Sequence, residues 1–176
     1  MVDTKNWTWV LVERCPECGF EAGALPREQI ASRSREVAEA FAAYLGDDGV
    51  RDRPSPEVWS TLEYGCHIRD VFRVMDGRLA LMLDHDGAEF ENWDQDATAV
   101  EDRYDTQDPA VVAGEVLAAG SAVADAFDAV TDGQWDRRGL RSNGSAFTVE
   151  TLGQYMVHDL VHHVWDIEQA RAGGYS

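Results

Sequence analysis

Apolar residues recur at helical spacing in four long stretches of this chain, and each stretch is bounded by residues that start or stop helices. The first opens at Pro26-Arg27-Glu28, repeats Ile30, Val37, Phe41 and Leu45, and stops at Gly46-Asp47-Asp48-Gly49. The second follows Pro54-Ser55-Pro56, where Ser55 can cap and Pro56 can fill the first turn, and carries Trp59, Leu62, Cys66, Val71, Met75, Leu79 and Leu83 to His85-Asp86-Gly87. The third starts at Asp108-Pro109 and carries Val112, Val116, Ala119, Val123, Phe127 and Val130. The fourth starts near Thr148, with Thr148 and Thr151 as caps, and runs to about Arg171 ahead of Gly173-Gly174. Only Trp7 to Val12 alternates as a strand would; Ala88 to Asp108 is polar and reads as a long loop able to carry a crossover, and Gly133 to Gly144 reads as turns. The expected fold is all-α: a four-helix bundle over residues 26–176, preceded by a short N-terminal extension over residues 1–25.

A chain of 176 residues, 44% of them hydrophobic, is long enough for one domain with a sizeable core. Its formal net charge of -18 repels polyanions, so nucleic acid and anionic membrane surfaces are not expected partners. No apolar stretch approaches the roughly 20 residues that a bilayer span needs. Met1-Val2-Asp3-Thr4-Lys5-Asn6-Trp7 has no basic region followed by an apolar one, and the three cysteines make no disulfide framework, so a cytoplasmic location is expected. The expected partner is a small-molecule substrate, and a homodimer is compatible with the bundle.

The fourth helix carries the chemistry. Between His158 and Ile167 it holds three of the five histidines and two aspartates, a density that core packing does not call for. Groups four residues apart share a helix face, so a single metal ion can bridge them. At about 100° per residue, Asp159 and His163 flank the inward stripe of Leu152, Met156, Leu160 and Val164, whereas His158 and His162 turn to another face that is either exposed or covered by the N-terminal segment. The inward pair is the favoured register and His158/His162 the alternative. His67, which interrupts the apolar pattern of the second helix, is the best-placed third ligand. Asp70 and Asp166, each three residues after a proposed histidine ligand, can orient imidazole N–H groups or pair with arginine.

Cys15-Pro16-Glu17-Cys18-Gly19 looks like one knuckle of a zinc ribbon. Only Cys66 remains as a further sulfur, so a four-thiolate site cannot form within one chain; histidine ligands or a second subunit would be required. Cys15 and Cys18 thus stand as a second metal site, a redox pair or an incidental pair.

With Pro56-Glu57-Val58-Trp59-Ser60, His67-Ile68-Arg69-Asp70 and His162-His163-Val164-Trp165-Asp166-Ile167 in this order, the chain resembles the DinB/YfiT-like metal-binding bundles, a superfamily that includes bacterial thiol transferases and mycothiol-dependent maleylpyruvate isomerases. The resemblance covers roughly Pro26 to Arg171. It implies a divalent metal, zinc or nickel, held by one histidine of the second helix and a pair four apart on the last: His67, Asp159 and His163. Asp159 stands where the family has His or Glu. The implied function is a metal-dependent transferase or isomerase that uses a low-molecular-weight thiol as cosubstrate on a small electrophile. Alternatives are a hydrolase acting through water and a non-catalytic metal-binding or stress-associated bundle. No clamp for the thiol's carrier is evident, the nearest basic residues being Arg69, Arg73 and Arg78.

Overall fold

Three of the four long helices begin at a side chain that accepts hydrogen bonds from the otherwise unpaired first-turn amides. A computed structural model describes residues 7–173. The reading of Met1–Asn6 and the stop at Gly174 lie outside the described residues. Helix α1 spans Ile30–Tyr44, α2 Thr61–Asp84, α3 Gln95–Glu101, α4 Pro109–Asp128 and α5 Val149–Arg171. Asp108 caps α4, and Thr148 with Thr151 forms a reciprocal cap on α5.

Helix α2 starts later than Ser55 and Pro56 suggest. Ser60 and Glu63 form a capping box, with the Ser60 amide donating to Glu63 Oε2 at 2.8 Å, and Arg53 neutralises the Glu63 carboxylate from outside. Residues before Ser60 are held in a turn closed by the Ser55–Val58 bridge. Trp59 therefore sits outside the helix, edge-on to Tyr64.

Helices α1 and α2 each pack against both α4 and α5, so the consecutive pair stands across the bundle rather than side by side. The close approach of α1, α2 and α4 depends on Gly120, where a Cβ would lie 2.6 Å from that of Ala38 and 3.1 Å from the Phe72 ring. Phe41, Phe72, Phe127, Leu79, Met82, Leu152 and Leu160 fill the middle. Helix α4, 20 residues long, is long and apolar enough by composition to cross a membrane, contrary to the expectation that no such stretch exists. Its Val112, Val116, Val123 and Phe127 are buried within the bundle.

Two further expectations change. Trp7–Leu11 is a 3-10 helix rather than a strand, packed against α5. The segments read as loop and turns instead build a three-stranded sheet: β1 (Ala88–Phe90), β2 (Arg138–Arg141) and β3 (Ala146–Thr148). Strand β1 pairs with β2 in parallel and β2 with β3 antiparallel, closing one side of the cleft described below.

Candidate metal centre

His67 lies on the wholly buried stretch of α2, with none of its surface exposed. Trp93 stacks on one face of the ring at 5.5 Å and 5°, and Trp59 lies 5.4 Å away. Neither ring nitrogen has a hydrogen-bond partner among the described residues. Leaving a buried polar group unpaired costs on the order of 1–3 kcal/mol, which makes an ion the natural complement of this ring.

The side chains facing His67 come from α5. His67 Nε2 is 3.6 Å from Asp159 Oδ2, His163 Nε2 is 3.4 Å from Asp159 Oδ1, and the two imidazoles stand edge to face with centroids 4.8 Å apart. One donor atom from each of the three residues falls within a 4.8 Å span. Asp166 Oδ2 lies 2.8 Å from His163 Nδ1, which orients the ring with Nε2 toward the centre. Burial would lower His163, but Asp159 and Asp166 on either side hold it well up, at about 9. Burial keeps His67 below the ordinary histidine range, and Asp159, although penalised by burial, is driven below the ordinary carboxylate range by the two imidazoles beside it. A carboxylate clasped between two imidazoles, one nitrogen of each aimed inward, fits a divalent cation with a coordination position left open.

Asp70 takes the second of the two roles its spacing allows, pairing with arginine. It accepts from Arg69 Nε and Nη2 at 2.9 Å each and from the Tyr104 hydroxyl at 2.6 Å, so it anchors Arg69 rather than orienting His67. Arg69 and Arg73 also reach Glu115 on α4, which takes both out of consideration as a substrate clamp. Cys66 is buried with its sulfur 3.8 Å from the Tyr104 carbonyl, and burial pushes its thiol up to about 12.

A cleft of about 500 Å³ opens onto Asp159 and His163, walled by Trp7, Trp93, Tyr155 and Met75. Two buried arginines line it, Arg78 from α2 and Arg141 from β2. Arg78 donates to the Glu91 carbonyl at 3.0 Å; Arg141 donates to Asn143 Oδ1 and Ser145 Oγ, 3.0 Å each. Neither has a carboxylate partner among the described residues. Burial first, and the neighbouring Arg141 charge second, lower Arg78 to about 10. Arg141 was missed in the sequence, although the run from Arg137 to Val149 carries no Asp or Glu in a chain otherwise rich in both.

The two registers of the fourth helix turn out to belong to different groups. His158 and His162 face the N-terminal segment, where Cys18 Sγ lies 3.8 Å from His158 Nε2 and Cys15 Sγ lies 3.7 Å from His162 Nδ1. Burial lowers His158 to about 4 and lowers His162 as well, so both rings are neutral at neutral pH.

The family model of the DinB superfamily matches residues 30–167. Among solved structures, YfiT from Bacillus subtilis, described as a probable metal-dependent hydrolase with an unusual four-helix bundle topology, is similar at a TM-score of 0.69 and 20% identity, over 87% of this chain and 92% of that one. At that identity the likeness speaks to the fold. No curated protein matches the sequence.

Proposed function

The chain belongs to the DinB superfamily, and from that premise we propose that it is a divalent-metal-dependent transferase that adds a low-molecular-weight thiol to a small electrophile, one of the two carrying an anionic group. The observation that carries this reading is the buried His67, neither nitrogen of which is hydrogen-bonded among the described residues, converging with Asp159 and His163, which line a cleft. Zinc or nickel suits a set of two imidazoles and one carboxylate. Such an ion supplies positive charge beside which a thiol, or a water, loses its proton near neutral pH.

The remaining work falls to the protein's own groups. Asp166 holds His163 in the tautomer and orientation that keep Nε2 free for the ion. Arg78 and Arg141, short of carboxylates in a chain that has an excess of them, receive a carboxylate or other anion of the ligand. Trp7, Trp93 and Tyr155 narrow the cleft and displace water from around the reacting groups, which strengthens the arginine contacts. Expected partners are small molecules alone, and the expected setting is the cytoplasm.

Hydrolysis is the second reading, favoured by the description of YfiT. The two separate cleanly: purified protein loaded with zinc or nickel is assayed against carboxylate-bearing electrophiles and esters, with and without a panel of low-molecular-weight thiols. Turnover that requires thiol, and that is lost in His67→Ala and His163→Ala, supports transfer. Turnover without thiol supports hydrolysis, and failure of wild type to bind any ion through His67 and His163 removes both.

A further inference from the structure

We propose that Cys15, Cys18, His158 and His162 form a second metal site, a closed tetrahedral zinc centre that staples the N-terminal segment to α5. All four donor atoms lie within 4.8 Å of one another, and the two sulfur-to-nitrogen separations are 3.7 and 3.8 Å. A tetrahedron with Zn–S of about 2.3 Å and Zn–N of about 2.0 Å has S···N edges of about 3.5 Å, so these two edges are within a few tenths of an ångström of what an ion requires.

The local backbone suits this role. Gly19 sits at φ +72°, a conformation that L side chains rarely adopt, and its amide donates to the Cys15 carbonyl at 3.0 Å while the Cys15 amide donates to the Phe20 carbonyl at 3.0 Å. This tight turn brings both sulfurs of Cys15-Pro16-Glu17-Cys18 to one side. On α5 the i, i+4 spacing brings His158 and His162 together, their rings 5.4 Å apart. His162 turns Nε2 toward Glu17 Oε2 at 3.4 Å and Nδ1 toward Cys15, the carboxylate orienting the imidazole as it does around structural zinc. Cys15 is 1% exposed and His158 4%. Two thiolates and two imidazoles satisfy zinc without an open position, so the site is structural; loading it displaces the two thiol protons.

The staple also has a consequence for the cleft. His158 and His162 line one of its walls, and the Trp7 ring lies 6.0 Å from that of His162, so the ion that fixes the N-terminal segment also fixes this wall. Because Asp159 and His163 follow His158 and His162 by one residue each, the same two turns of α5 serve both centres on neighbouring faces.

The test counts and identifies ions in the intact protein. Wild type should hold two equivalents of zinc, and its cobalt-substituted form should show thiolate-to-cobalt charge transfer in the near ultraviolet. Cys15→Ser/Cys18→Ser should lose that band and one equivalent, whereas His67→Ala should lose the other equivalent and keep the band. As a check that needs no variant, an organomercurial that titrates thiols should release one equivalent of zinc from wild type. Cobalt protein without a sulfur band, or zinc that the mercurial fails to release, would overturn the proposal. A single thiolate-bound equivalent that survives His67→Ala would uphold it and refute the catalytic ion instead.

Discussion

Replacing His67 with leucine should make the metal-free protein more stable and the zinc-loaded protein less so. The ring is fully buried and neither nitrogen has a hydrogen-bond partner among the described residues, so without an ion it carries a desolvation cost of roughly 1–3 kcal/mol. Leucine removes that cost but forfeits the stacking on Trp93, at about 0.5–1.5 kcal/mol, leaving a net gain of about 1 kcal/mol. For a chain of this size the gain corresponds to a rise in Tm of about 2–4 °C. In free zinc at a hundred times its Kd, an intact centre adds about 2.7 kcal/mol to wild type, and the order reverses by about 1–2 kcal/mol. The Cys15/Cys18 group is present in both proteins and cancels from the difference. Calorimetric or fluorescence melts of the pair, in chelator and in zinc, read the crossing directly. Destabilisation by His67→Leu in chelator would refute the argument, because it would mean that the imidazole is already satisfied in the metal-free fold.

Other outcomes follow from neighbouring groups. His163 is held at about 9 in the metal-free protein and must release its proton for Nε2 to donate to an ion, so zinc affinity at this centre, measured by competition with a chromophoric chelator, should climb about tenfold per pH unit and flatten above about pH 9. Because this folded value lies above the ordinary histidine value, the same group stabilises the metal-free fold fully below about pH 6.5, and that contribution is lost as pH rises through about 9; denaturant midpoints in chelator should show the fall. Arg141→Gln should lower kcat/KM for an anionic substrate by about 10- to 100-fold, the worth of a charge-assisted hydrogen bond, while leaving zinc content unchanged; equal loss on a neutral analogue would argue against the clamp. Ser60→Ala should cost about 1 kcal/mol through the α2 cap, by the same amount with and without zinc, as thermal melts will show.

The four long helices were legible because their signals are local. Asp108-Pro109 and Thr148 mark the starts of α4 and α5, and the apolar spacing of α1, α2, α4 and α5 needs no knowledge of what lies opposite. Where two local signals competed, tertiary contact chose between them: Ser60 and Glu63 won over Ser55 and Pro56 at the start of α2 because Arg53 neutralises the buried Glu63. The strands escaped notice because three or four residues are too few to display a period of two, and because β1 pairs with a partner some 50 residues away.

The centres divide along the same line. The spacing of Asp159 with His163, and of His158 with His162, is a property of one helix, so both pairs could be read from the chain. Which pair meets which partner depends on how α5 is rotated between its neighbours: α2 offers His67 to one face, and the N-terminal segment offers Cys15 and Cys18 to the next. Local chemistry cannot fix that rotation, since it is set by burial of Leu152, Met156, Leu160 and Ile167 against the rest of the core. The same holds for Arg78 and Arg141, which lie on different elements far apart in the chain and share a cleft only because the small sheet folds back over the bundle. Residue types and helical periods thus lay down the ligand inventory, and packing of apolar surface against apolar surface sorts it into two separate sites.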